Sequence, residues 1–161
     1  MTTPEQKLAQ RGLELPAPTR LPPGLHLPFS FINVRGTHVY ISGHPKQGPD
    51  GSIVGPFGKV GADMSTEEAQ LAARDIGLTV LANLKAEIGE LSRVEGWLRV
   101  FGMVQSADGY SDQHLVINGF SDLIIDLFGP EIGRHSRSAI GVAGLPMNFA
   151  MEIEGELRLL P

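Results

Sequence analysis

The clearest pattern of apolar positions in the chain begins at Ala69. Ala69, Ala72 or Ala73, Ile76, Val80, Leu84 and Ile88 recur at helical spacing, which predicts an amphipathic helix of about six turns with one buried stripe. Ser65-Thr66-Glu67-Glu68 supplies a capping box at its start, and Gly89 suits its exit. A second helical period, Val116, Phe120, Leu123, Ile124 and Leu127, runs from a cap at Ser111 or Asp112 to Gly129-Pro130.

The remaining patterns are those of strands and loops. Phe31-Ile32-Asn33-Val34 and Val39-Tyr40-Ile41-Ser42 flank Arg35-Gly36-Thr37-His38, which predicts a hairpin with Gly36 at the positive φ of its turn. The glycines and prolines between Gly43 and Ala62 exclude helix and leave a loop with one short strand near Ser52-Ile53-Val54. Val94 to Val104 predicts a strand with Trp97 and Phe101 on one face. Two final strands are expected near 137–144 and 148–158, separated by Leu145-Pro146-Met147-Asn148. The order β-β-(β)-α-β-α-β-β is an α+β pattern, with two helices covering one face of a mixed sheet. Ahead of it, Thr3, Pro4 and Gly12 predict a short capped helix. Pro16, Pro18, Pro22, Pro23 and Pro28 then make residues 14–28 an extended arm, of the kind that often reaches a neighbouring subunit.

Composition narrows the classes of function. A chain of 161 residues with 42% hydrophobic content fits one globular domain. A formal net charge of −5, with 13 basic residues spread along the chain, argues against a nucleic-acid footprint. There is no cysteine, so disulfides and thiolate chemistry are excluded. The histidines at 26, 38, 44, 114 and 135 lack the pairing of a helical zinc motif, and no metal is expected. No signal-like or membrane-length apolar run is visible, so the expectation is a soluble cytoplasmic protein.

The residues that could carry chemistry concentrate toward the end of the chain. The run His135-Ser136-Arg137-Ser138-Ala139-Ile140-Gly141-Val142-Ala143-Gly144-Leu145-Pro146, followed by Glu152-Ile153-Glu154, puts a cation and a carboxylate on what read as two paired strands. Arg137 offers a permanently charged planar fork that matches a carboxylate, although a surface ion pair is the common use of such a residue. Alternation puts Glu152 and Glu154 on one side of their strand, which equally describes a wet face. Ser42-Gly43-His44 closes the hairpin's second strand, where His44 would titrate near neutrality if unperturbed and is otherwise an ordinary polar residue. Asn118-Gly119 lies on the second long helix, where the asparagine could bind a ligand, cap or face solvent.

Together these residues resemble the Rid family (YjgF-like, reactive intermediate deaminase; older label endoribonuclease L-PSP-like). The likeness rests on the Arg-Ser pair eight residues before Leu-Pro, the acidic strand after it, Ser42-Gly43 and Asn118 with its small neighbour. It implies a chorismate-mutase-like fold for residues 28–161, preceded by an N-terminal extension over 1–27, and a homotrimer with sites between subunits. It also implies hydrolysis of reactive 2-imino acids, such as 2-iminobutanoate and 2-iminopropanoate, to 2-oxo acids and ammonia without a cofactor. In that reading Arg137 holds the substrate carboxylate, Glu152 positions water, and Phe29, Ser42, Gly43, His44 and Asn118 line the site. The sequence departs from the family at two of these places. Phe29 replaces a tyrosine whose hydroxyl touches the ligand, and His44 replaces a glutamine. Those departures leave open a non-catalytic module that binds a small carboxylate metabolite. A weaker alternative is the endoribonuclease or translation inhibitor of the older label.

Overall fold

The computed structural model describes residues 2–161 and contains one mixed sheet with helices on one face. Helix α1 (Pro4–Gln10) starts at Thr3, whose hydroxyl accepts from the Gln6 amide while the Gln6 side chain accepts from the Thr3 amide. The arm that follows has no regular structure and lies on its own chain. Ala17 and Arg20 donate from the backbone to the Pro49 and Gly51 carbonyls, and the Thr19 amide donates to Asn83.

Strands β1 (Ile32–Arg35) and β2 (His38–His44) form the expected hairpin, with Gly36 at φ 61° in its turn. The segment after it holds an isolated bridge, Gln47 to Ile53, in place of the short strand expected at 52–54. Helix α2 (Thr66–Ile88) carries the predicted capping box at both Ser65 and Glu68. Strand β3 (Val94–Gln105) and helix α3 (Gln113–Phe128) follow. Gly129-Pro130 ends α3 but also starts a single helical turn, α4 (Pro130–Gly133), because proline suits the first helical position. Strands β4 (Ser136–Val142) and β5 (Met151–Leu159) complete the chain.

The sheet order is β1-β2-β5-β3-β4, antiparallel throughout except for the parallel β3–β4 pair. The expected pairing of the last two strands is therefore corrected, since β3 lies between them. A parallel pair needs a crossover of helical length, which α3 provides between β3 and β4. The short Leu145–Asn148 linker then carries the chain past β3 rather than through a tight hairpin.

The second correction concerns β3. A register shift between Trp97 and Arg99 adds a residue against β5, which changes the alternation. Trp97 and Val100 face the helices, while Phe101 turns to the opposite face with Arg99, whose guanidinium lies 5.5 Å from its ring centre. The core lies between the sheet and the two long helices, where Phe120, Ile76, Leu81, Leu84, Ile117, Ile124 and Leu127 are fully buried. Each such side chain contributes roughly 1.5–3 kcal/mol by leaving water. The other face of the sheet carries Tyr40, Phe101, Met103, Ile140 and the row Glu152, Glu154 and Glu156, with no helix over it.

Candidate functional site

Glu152 lies on the helix-free face of β5, opposite Met103 on β3. Its neighbour across the sheet is made by an irregularity in β2. Between Ile41 and His44 the register with β5 shifts, so Ser42 and Gly43 bulge toward Glu152 while His44 turns back opposite Ile153. A Cβ at Gly43 would sit 2.8 Å from Glu152 Oε2, so a larger residue here would displace the carboxylate. Ser42 donates its hydroxyl to the Ser30 carbonyl at 2.8 Å, which ties the end of the arm to the hairpin.

These residues line a cavity of about 350 Å³ whose other walls are mainly apolar, including Phe29, Phe31, Met147 and Phe149. Burial raises the Glu152 carboxyl above the ordinary glutamate range, and the charge of Glu154 adds to the effect. Among the described residues Glu152 has no cationic partner. A wider cleft of about 530 Å³ opens beside Lys46 and Asp75, but that acid and that base already pair at 3.0 Å.

Arg137 is held with similar care, elsewhere. On edge strand β4 it sits opposite Val100, so its side chain belongs to the helix face. Its Nη1 donates to Asn118 Oδ1 at 2.9 Å and to Ser121 Oγ at 3.0 Å, and its Nη2 donates to the His114 carbonyl at 3.3 Å. All three acceptors are neutral groups of α3. The surface ion pair that is the common use of such a residue is absent among the described residues. Burial pulls the Arg137 value below that of an ordinary guanidinium, with Asp122 opposing.

Behind it the hydrogen bonds fix a direction. His135 Nδ1 lies 2.8 Å from the Gly133 carbonyl, which can only accept, so Nδ1 carries the proton. His135 Nε2 then accepts from Ser121 at 3.0 Å, leaving the serine oxygen to receive Arg137. Burial lowers His135, the hydrogen bond to the Gly133 carbonyl opposes it, and the charge of Arg137 adds to the lowering, a net shift that favours the neutral ring over an ordinary imidazole.

The two halves do not meet within one chain, because Glu152 and Arg137 lie on opposite faces of the sheet. Ser42, Gly43 and Phe29 stand with Glu152, while Asn118 stands with Arg137. His44 joins neither group. It is fully buried, its Nδ1 donates to the Ser42 carbonyl at 2.6 Å, and its ring centre lies 5.0 Å from that of Phe31. Burial lowers it to about 4, so the condition under which it would titrate near neutrality, an unperturbed imidazole, is not met. The bulge in β2 is the physical reason. It also leaves Nε2 without a partner among the described residues.

The sequence reading missed Ser121 and His135, which hold Arg137, and Gln105. Gln105 donates to Asn148 Oδ1 at 2.8 Å and accepts from the Leu145 amide at 3.0 Å, fixing the turn that carries Met147 to the cavity. Polar residues inside an apolar period, as Ser121 is in α3, were the available signal. No three His, Asp or Glu side chains converge as metal ligands among the described residues.

Comparison with known proteins bears on this arrangement. The family model described as "YjgF/chorismate mutase-like, putative endoribonuclease" matches residues 5–153. The chain belongs to that family. The YjgF-like fold is also that of an Agrobacterium tumefaciens protein of unknown function, Atu1372, which is 34% identical with a TM-score of 0.84 over 98% of this chain and 92% of that one. A Shewanella oneidensis protein with the same endoribonuclease description is 30% identical, with a TM-score of 0.86 over 98% of this chain and 99% of that one. Protein TCP17 of Trypanosoma cruzi is 38% identical over 125 residues, 77% of this chain and 76% of its own. The YjgF-like resemblance expected from Arg137, Glu152 and Ser42-Gly43 is thereby established for family and fold.

Proposed function

We propose that this protein hydrolyses reactive 2-imino acids to 2-oxo acids and ammonia, at a site formed where two copies of the chain meet. The observation that carries the reading is a complementary pair of unpaired charges. Among the described residues Glu152 is a half-buried acid without an ion pair, and Arg137 is a pre-oriented cation bonded only to neutral groups, with Asp122 acting on it only through its charge. Each is what the other lacks, and their placement on opposite faces calls for a second copy.

Arg137 would take the substrate carboxylate in its planar fork, with Asn118 and Ser121 fixing the fork's direction. Glu152, as a carboxylate, would accept a proton from a water that adds to the imine carbon. The resulting carbinolamine carries a new C–O bond. Return of that proton to nitrogen lets the C–N bond break while the carbinol hydroxyl gives its own proton to Glu152, releasing ammonia and leaving the 2-oxo acid. An iminium carbon is already electrophilic, so placement of water and substrate is the main task. Phe29 in place of a hydroxyl-bearing ring leaves Glu152 as the sole ionisable group on the cavity wall.

The test couples purified protein to an amino-acid oxidase and follows trapping of the imine by semicarbazide. Wild type is expected to suppress the trapped product, with Arg137→Ala and Glu152→Gln each slower by about 100-fold or more. The raised value of Glu152 also sets a pH dependence. Because the ionised form is the acceptor, kcat/KM rises with pH along an acid limb that burial and Glu154 move up and a second copy's Arg137 would move down. If wild type removes imine no faster than buffer, the deaminase reading is lost. The endoribonuclease description fits less well, since the row Glu152, Glu154 and Glu156 on the open face would repel a phosphate backbone. RNA cleavage that survives Arg137→Ala and Glu152→Ala would favour that description instead.

A further inference from the structure

The cavity beside Glu152 is roofed by part of the chain for which the reaction above has no use. Residues Leu21, Leu25 and Leu27 of the arm line it together with Phe29, Phe31 and Met147. The arm is tied down on either side of this crest. Arg20 donates to the Gly51 carbonyl at 2.9 Å, and the Phe31 carbonyl accepts from Ser42 at 3.0 Å. Between them the one backbone-to-backbone hydrogen bond among the described residues is internal, Leu25 to Pro22 at 3.1 Å, and the Ser30 carbonyl accepts from the Ser42 hydroxyl. Pro22, Pro23 and Pro28 stiffen the crest in place of such bonds.

The exposure is unusual in its clustering. Leu21 is 38% exposed, Leu25 44%, Phe29 53% and Met147 59%, and all four border this single cavity. Apolar residues exposed singly need no explanation, but a contiguous group around a concave site marks a binding surface. Met147 holds a left-handed backbone, φ 54°, which a side chain of its size adopts only when its surroundings impose it. The Gln105 clamp on this turn is that imposition.

Polarity is confined to one end. Glu152 is the ionisable group in the wall, and the Ser42 hydroxyl is already committed to the Ser30 carbonyl. A ligand that fits must have its polar centre at Glu152 and a sizeable apolar group beneath the arm. The imine of alanine, with a methyl side chain, would leave most of this wall wet.

We infer that the cavity selects 2-imino acids with large apolar side chains, branched aliphatic or aromatic, and that the arm crest is the specificity determinant. The inference rests on the deaminase reading for the identity of the charged end only, so its test is a binding measurement. Titration calorimetry of the assembled protein would use the product-like acids phenylpyruvate and 4-methyl-2-oxopentanoate against pyruvate. The larger acids are expected to bind at least about tenfold tighter than pyruvate. In Leu25→Ser/Leu27→Ser, and to a lesser degree in Leu25→Ser alone, that preference should fall below about threefold. The exposed Leu25 makes the single variant one that keeps its fold. Equal binding of pyruvate by wild type, or an undiminished preference in both variants, overturns the inference. Size-selective binding without imine turnover would sink the deaminase reading and leave this one standing. Turnover with no selectivity would do the reverse.

Discussion

At the scale of single residues, the sharpest difference between sequence and structure is His44. Its position beside Ser42-Gly43 was legible, but its direction was not, because one inserted residue in β2 reverses which face it occupies. The consequence is measurable. The unfolded chain takes up a proton on this histidine below about pH 6.5, whereas the folded chain refuses it until about pH 4. The associated stability is present above the unfolded value and is lost as pH falls between the two, by on the order of 2–3 kcal/mol. His44→Gln removes the titrating group and retains an amide that can donate to the Ser42 carbonyl. Thermal unfolding between pH 7.5 and 4 should therefore show a shallower loss of Tm for the variant than for wild type. Parallel curves would mean that His44 is hydrated in solution and titrates normally.

At the scale of elements, α3 links the fold to the site. Gly119 lies where α3 crosses α2, and a Cβ there would overlap the Gln70 carbonyl oxygen and crowd the Arg74 amide. Backbone cannot yield as a flexible side chain can, so Gly119→Ala must push the helices apart. A cost of about 1–3 kcal/mol is expected, seen as a lower urea midpoint. The adjacent Asn118 moves with the helix, so Arg137 should lose its bearing and ligand affinity should fall as well. A variant as stable as wild type would show that the crossing is loose.

The helices themselves were legible, since a 3.6-residue period and a capping box are local properties, and both long helices appear where that pattern places them. Strand pairing was not, because it depends on which strand a crossover helix returns to, and β4 joined β3 in place of β5. For the same reason Arg137 and Glu152 could be picked out but not placed relative to each other. Ser121 and the supporting role of His135 went unnoticed because the bonds from Arg137 to Ser121 and from Ser121 to His135 are tertiary. The cavity's arm wall was equally hidden, as nothing in a proline-rich segment says what it will cover.

At the scale of the whole molecule, the uncovered face of the sheet decides what else must be present. Phe101, Met103 and Ile140, the last 42% exposed, form an apolar patch across β3 and β4, and Tyr40 at 46% stands beyond the row of β5 glutamates, with no helix above either. We propose that further copies of the chain cover this face in a homotrimer, in which one copy's Arg137 meets the next copy's Glu152. A monomer by sedimentation would break that argument. The more demanding check is complementation, because an assembly alone does not make a shared site. Arg137→Ala and Glu152→Gln chains, each inactive alone, are co-expressed in equal amounts and purified as mixed assemblies. A boundary works only if its glutamate comes from the first chain type and its arginine from the second. Random assortment makes this true at about a quarter of boundaries, so about a quarter of wild-type activity should return. If Arg137 and Glu152 served the same site within one chain, every boundary would lack one of them and mixing would restore nothing. Recovered activity would therefore mean that the two charges of one site come from different chains, as their positions on opposite faces of a single chain's sheet require.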